Sequence, residues 1–334
     1  MAETILEVQN LKTYFYSGDS ELRAADDLSY QVHKGECVAI IGESGSGKTV
    51  SALSIMRLIP FPPGVIVGGK VLFHGKDLLK ISDAEIKKMR GSQISMIFQE
   101  PSTALNPLMT IGQQIAEPLM IHKGMGKKEA MERAVELLAK VDIPNAEERV
   151  KQYPHQFSGG MQQRAMIAIA MSCDPELLIA DEPTTALDVT VQAQVLEQLN
   201  KLRTESDTAL IIITHNLGIV ARYADSVKIM YGGKIVESGS PEDIFENPWH
   251  PYTLGLIKAV PRLDLPRSHG LHTIEGEPPD MSKIPVNSCA FAHRCSYADE
   301  HCWNERPRLE EVGPGHHCAC FNMSKTKAER EALV

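Results

Sequence analysis

Eight residues near the N-terminus, Gly42-Glu43-Ser44-Gly45-Ser46-Gly47-Lys48-Thr49, place glycines, hydroxyls and a lysine after an apolar run, Cys37-Val38-Ala39-Ile40-Ile41, and before a helix-prone stretch, Val50 to Leu58. Glycine backbone closes around phosphate oxygens without Cβ interference, and the following helix directs its positive end at the same anion. The pattern predicts a loop for a nucleoside triphosphate, with Lys48 reaching the β- and γ-phosphates and the Thr49 hydroxyl on Mg²⁺. A purely structural glycine turn is the bland alternative, and the strand-loop-helix context stands against it.

A second carboxylate-bearing feature is Leu177-Leu178-Ile179-Ala180-Asp181-Glu182, an apolar strand ending in two acids and turned by Pro183. Open α/β sheets present reactive groups at such strand ends. Asp181 suits the Mg²⁺ shell, and Glu182, pointing differently, suits polarisation of an attacking water; an amide does neither as well. An acidic cap on the helix after Thr184 is the competing reading. Between the two features lies Phe157-Ser158-Gly159-Gly160-Met161-Gln162-Gln163-Arg164, which opens a helix running through Ala165 to Met171. Free N–H donors and a Ser158 cap there form a second anion site. One chain thus carries two phosphate sites for one nucleotide.

This arrangement resembles the ATP-binding cassette (ABC) ATPases, whose signature reads Ser-Gly-Gly at this place. The resemblance implies that Ser158, Gly159 and Gly160 serve the ATP of a partner cassette. Met161 departs from the family's usual Gln. Other elements follow in family order. Gln99, ending Ile97-Phe98-Gln99, resembles the glutamine that ligates Mg²⁺ and senses the γ-phosphate and the membrane partner. Ala186-Leu187-Asp188 resembles the loop through which two cassettes communicate. His215, after Leu210-Ile211-Ile212-Ile213-Thr214, matches the histidine on the γ-phosphate, with Asn216 where aspartate is common. Phe15, flanked by Tyr14 and Tyr16, stands where an aromatic ring stacks on adenine, and the choice among the three rings stays open. Alone, a Gln or His is more often structural; six motifs in order outweigh that reading.

The elements that must position these groups imply an α/β fold. Short alternating strands and the phosphate-loop helix fill residues 1 to about 98, with a turn at Gly68-Gly69 and a break at Asn106-Pro107. From about 100 to 171 the pattern is helical, with Met131, Ala134, Val135, Leu138 and Val141 as a packing stripe in Lys127 to Val141. Buried strands return from 172 to about 240 and close with a hairpin, Val227 to Met230, Gly232-Gly233, Lys234 to Glu237. The resemblance implies a P-loop NTPase cassette, with a RecA-like core plus antiparallel β and α-helical subdomains, over 1–245. Its helical subdomain, about 100–171, would dock on membrane subunits around Glu100 to Pro107. A loop-rich, cysteine-containing extension over 246–334 would follow.

The 334 residues suit about two domains, and 43% hydrophobic content suffices for a core. No apolar run approaches the roughly 18 residues of a membrane span, and Met-Ala-Glu-Thr-Ile-Leu-Glu lacks a basic leader, so a cytoplasmic location is expected. A net charge of −9 without a basic stripe argues against nucleic acid as the main partner. Membrane association would come through other proteins.

Five of the seven cysteines, Cys289, Cys295, Cys302, Cys318 and Cys320, lie in a proline-dense stretch with Pro278, Pro279 and Pro285. Little helix or sheet is expected there, so the segment needs a staple. A reducing compartment disfavours disulfides, and the wide spacing departs from the usual zinc pairing. Asn247-Pro248-Trp249-His250-Pro251-Tyr252-Thr253 followed by Ala259-Val260-Pro261 looks like the extension of the dipeptide and oligopeptide importer ATPases. That family's cysteine pattern matches Cys289, Arg294-Cys295, Tyr297-Ala298, Cys302 and Ala319-Cys320, which implies a 4Fe-4S cluster. Zinc and free thiols stay open as alternatives, as does Cys318 in place of Cys320.

The resemblance implies the ATP-hydrolysing subunit of a di- or oligopeptide importer, at the cytoplasmic face of the membrane. Its partners would be a second cassette (paralogue or self), two permeases and an external peptide-binding protein. The same architecture serves nickel or other small-solute importers. A soluble non-transport ABC protein usually carries two cassettes or a long coiled coil, and neither is found here.

Overall fold

The computed structural model describes residues 3–18, 20–184, 187–260 and 272–331. Ala186 and Pro261, named above, lie outside them. The chain divides into two compact units, one of Met1–Leu6, Val32–Cys37 and Phe73–Ile213, the other of Glu7–Gln31, Val38–Leu72 and Thr214–Val334.

In the first unit, strands Ile94–Ile97, Leu177–Asp181 and Ala209–Thr214 run parallel, with Ile94 opposite Leu177 and Leu177 opposite Ala209. All three are buried along their length. Continuous aliphatic runs of this kind belong to parallel strands covered on both faces. The expected helical region is present as Ile111–Lys123, Lys127–Lys140 and Gly159–Met171, with Val189–Ser206 after it. Thr110 and Gln113 close a reciprocal cap on the first helix, and left-handed Gly124 ends it. On Lys127–Lys140 the buried stripe is Ala130, Ala134, Leu137 and Leu138; Met131 and Val135 are only half-buried.

In the second unit, Glu310–Gly313, His316–Cys318, Lys234–Gly239 and Ser226–Tyr231 pair antiparallel in that order, and Ser226–Tyr231 runs parallel to Val38–Ile41. The expected hairpin around Gly232-Gly233 is formed. Three sequence expectations are corrected here. Gly68-Gly69 is no turn: both residues lie inside strand Gly64–Phe73, where Gly69 has φ 94° and a Cβ would fall 2.5 Å from the Asn10 carbonyl oxygen. Glycine there permits close strand approach instead of reversal. The N-terminal strands are also long, Thr4–Ser17 and Ser20–His33. The C-terminal extension is not merely loops, because His316–Cys318 continues the antiparallel sheet and Pro251–Lys258, Glu300–Asn304 and Met323–Glu331 are helices. Prolines at N1 start helices as readily as they break them, as at Pro251.

Candidate functional site

The phosphate loop grows out of buried strand Cys37–Ile41. A Cβ on Gly42 would lie 2.2 Å from the Met230 carbonyl oxygen, and one on Gly47 would lie 1.9 Å from that of Ala24. Gly47 (φ 98°, ψ 5°) caps the helix Lys48–Ile55, which begins two residues before the expected start and has no acid in its first turn. The Gly233 N–H donates to the Ser46 carbonyl at 3.0 Å. Lys48, 5% exposed, donates to the carbonyls of Gly42 at 2.8 Å and Glu43 at 3.0 Å. Ser46 Oγ is buried without a hydrogen-bond partner, an orphan polar atom that phosphate oxygen or its metal would satisfy. Ser44, Gly45 and Thr49 are exposed at the loop and first helical turn.

Of the three aromatic rings, Tyr14 donates its hydroxyl to Asp26 at 2.8 Å and lies under the Arg23 guanidinium. Phe15 is half-buried, its ring beside Gly64, where a Cβ would meet it at 2.8 Å. Tyr16 is 44% exposed. In the same unit, exposed His215 precedes Asn216, whose side chain accepts the Gly218 N–H at 2.9 Å and caps the next helix.

The first unit holds the carboxylates. Asp181 is 2% exposed at its strand end. Glu182 adopts φ 45°, a left-handed conformation that a non-glycine residue holds only under constraint. Its N–H donates to the Ile213 carbonyl at 2.9 Å, and its carboxylate accepts the Gln99 amide at 3.0 Å. Ser158 caps the helix Gly159–Met171, accepting the Met161 N–H, and no acid occupies that first turn. A Cβ on Gly160 would meet Val191 at 2.8 Å, whereas Gly159 has only Leu187 at 4.0 Å. Asp188 caps Val189–Ser206 through the N–H groups of Thr190 and Val191.

In the extension, burial pushes the Cys289 thiol up to about 11, Cys320 up to about 12 and Cys295 upward. Charge on Cys295 and Cys302 adds at Cys289, on Cys302 at Cys295, and on Cys289, Cys295 and Cys302 at Cys320. These four thiols therefore lie within electrostatic reach of one another. Backbone N–H groups of Phe291 and Ala292 face the Cys289 sulfur, those of Tyr297 and Ala298 face Cys295, and that of Asn322 faces Cys320. The Asn322 amide lies 3.4 Å from Cys302 Sγ. Cys318 is buried on its strand opposite Glu237; burial, then that carboxylate, then charge on Cys320 and Cys289 push its thiol far up. Among the described residues no three His, Cys, Asp or Glu side chains converge closely enough to hold a single metal ion.

Two contacts escaped the sequence reading. The Arg294 guanidinium forks onto the Glu43 carboxylate at 2.6 and 3.2 Å, and the Tyr252 hydroxyl accepts the Glu43 N–H at 2.9 Å. The signals were an acid inside a phosphate loop and a buried-type arginine beside a cysteine, but 251 positions separate them.

Family models match the chain over residues 25–185, described as ABC transporter, and over 236–302, described as oligopeptide/dipeptide transporter, C-terminal region. The chain is similar to the oligopeptide transport ATP-binding protein AppD of Bacillus subtilis, 48% identical over 98% of this chain and 99% of the relative. It is also 48% identical to OppD of Salmonella typhimurium, over 96% of this chain and 94% of that protein. Among solved structures, the ATP-binding cassette MJ0796 matches with TM-score 0.64 and 26% identity over 71% of this chain and 98% of that one, as a dimer in a post-hydrolysis state with ADP and phosphate. The chain belongs to the ABC transporter family, among the ATP-binding proteins of oligopeptide and dipeptide transporters. It is an ABC ATPase, with the α/β cassette and C-terminal extension read from the sequence.

Proposed function

We propose that the chain is one of two cassettes whose ATP hydrolysis drives import of di- or oligopeptides. The observation that carries this is two acid-free helix N-termini in one chain, at Lys48 and at Ser158–Gly160. The first receives the chain's own ATP; the second completes the site of a facing cassette, in keeping with the dimeric form of the similar structures. The cassette spans 1–245 with its helical subdomain at 100–171, and the extension spans 246–334. No helix of the described residues is long and apolar enough to cross a membrane; kinship with peptide-importer ATPases supports a place on the cytoplasmic face, held by two permeases fed by an external peptide-binding protein.

Gly42, Ser44, Gly45, Ser46 and Gly47 cradle the phosphates, Lys48 neutralises the β- and γ-oxygens, and Phe15, with Tyr16 beside it, stacks on adenine. Thr49, Gln99 and Asp181 suit Mg²⁺, which neutralises charge developing on the transferred phosphoryl group. Glu182 accepts the proton of the attacking water, its carboxylate oriented by Gln99, and His215 contacts the γ-phosphate. Ser158, Gly159, Gly160 and Asp188 act on the facing cassette. In vesicles holding the permeases and binding protein, peptide should stimulate ATP hydrolysis; stimulation by nickel or another solute alone would reject the peptide cargo.

The extension's four neighbouring cysteines, Cys289, Cys295, Cys302 and Cys320, suit a 4Fe-4S cluster that staples the segment. Their amide N–H···S contacts stabilise thiolates.

A further inference from the structure

The cysteine module is wired to the phosphate loop. Glu43 puts a carboxylate beside the place where a triphosphate binds, and unpaired it would repel that anion. Arg294, 5% exposed, takes up the charge with a two-pronged contact. The guanidinium is held by its own surroundings. Its Nε donates to the Glu275 carbonyl at 3.0 Å, Nη2 to the Ile274 carbonyl at 3.4 Å and Nη1 to the Tyr231 hydroxyl at 3.4 Å. Tyr252 is fully buried, its ring 4.6 Å from that of Tyr231 and 5.5 Å from that of Phe291, and it receives the Glu43 N–H. The Glu43 carbonyl in turn receives Lys48. Glu43 is therefore anchored at side chain and backbone by the extension, and it holds the lysine of the loop.

We infer that Arg294 is a positioning residue for nucleotide binding: it keeps the Glu43 carboxylate turned from the triphosphate, so that the folded state of the cysteine module sets the affinity of the Lys48 site. The inference rests on ATP binding at that loop.

The test measures the Kd of the full chain for Mg-ATP, with thermal unfolding followed in parallel. Arg294→Gln should raise Kd about tenfold, within the range for contacting pairs. Against a Glu43→Gln background the same Arg294→Gln change should leave Kd nearly unmoved, because the released carboxylate is gone. A merely structural arginine would not be rescued by Glu43→Gln. Unchanged affinity in Arg294→Gln, or an equal loss from it in the Glu43→Gln background, would overturn the inference. If Arg294→Gln does not fold, Arg294→Lys, which keeps the charge and loses the fork, gives the same comparison with and without Glu43→Gln. Failure of the unaltered chain to bind Mg-ATP would instead defeat the nucleotide reading.

Discussion

Gln99 donates its side-chain amide to the Glu182 carboxylate at 3.0 Å, across 83 residues of sequence. The contact joins the end of one parallel strand to the turn after its neighbour, and it fixes a carboxylate already constrained by a left-handed backbone. Glutamine at 182 can still accept that amide but cannot take a proton. Glu182→Gln should therefore lower turnover by about 10²–10⁴-fold with Mg-ATP affinity retained, and should accumulate an ATP-bound dimer in gel filtration. Turnover at the unaltered rate would remove Glu182 from the role of base.

Gly47 and Gly45 both have positive φ, 98° and 78°, but differ in surroundings. A methyl on Gly47 meets the Ala24 carbonyl oxygen at 1.9 Å, and one on Gly45 meets nothing within 4 Å. Gly45→Ala should cost about 1–2 kcal/mol, the left-handed penalty alone; Gly47→Ala should cost more and abolish Mg-ATP binding. Denaturant midpoints compare the two, and equal losses would dismiss the Ala24 contact as the cause.

His250 is buried, with its Nδ1 accepting the Tyr252 N–H at 3.1 Å as the cap of Pro251–Lys258. Burial lowers its pKa from 6.5 to about 4, with Glu237 partly opposing. Because the folded value lies below the unfolded one, the unfolded chain binds the proton more readily in that window. Stability from this group is complete above pH 6.5 and falls away toward pH 4, by on the order of 3 kcal/mol. His250→Asn, which caps without titrating, should flatten this part of the stability-versus-pH curve; an unchanged slope would point to other groups.

Protein purified without oxygen should carry about four iron and four sulfide per chain, as a 4Fe-4S centre requires. Cys302→Ser or Cys320→Ser should lose the metal and make the extension protease-sensitive. Cys318→Ser should keep both, since Cys318 is buried in the sheet on the strand opposite Glu237. Stoichiometric zinc without sulfide would reject the cluster and leave the staple.

Local chemistry was the legible part of this chain. The phosphate loop, the strand ending at Asp181 and the cap at Ser158 each need only contiguous residues, because glycine, hydroxyl and acid act on the nearest backbone. Gly68-Gly69 misled because glycine signals both reversal and close approach, and only the neighbouring Asn10 strand decides between them. His316–Cys318 is too short for a periodic pattern, and its partner Lys234–Gly239 lies far upstream. The Arg294–Glu43 pair likewise has no local signature: an ion pair is set by tertiary placement alone.

Whether each ATP site is shared between two cassettes is read from ATP turnover per chain across a wide dilution series. If each nucleotide is completed by Ser158 and Gly160 of a facing cassette, turnover per chain should rise with protein concentration toward a plateau. Ser158→Arg should remove that rise while Mg-ATP still binds at Lys48. Turnover per chain that is constant across the series, and unaffected by Ser158→Arg, would contradict a shared site.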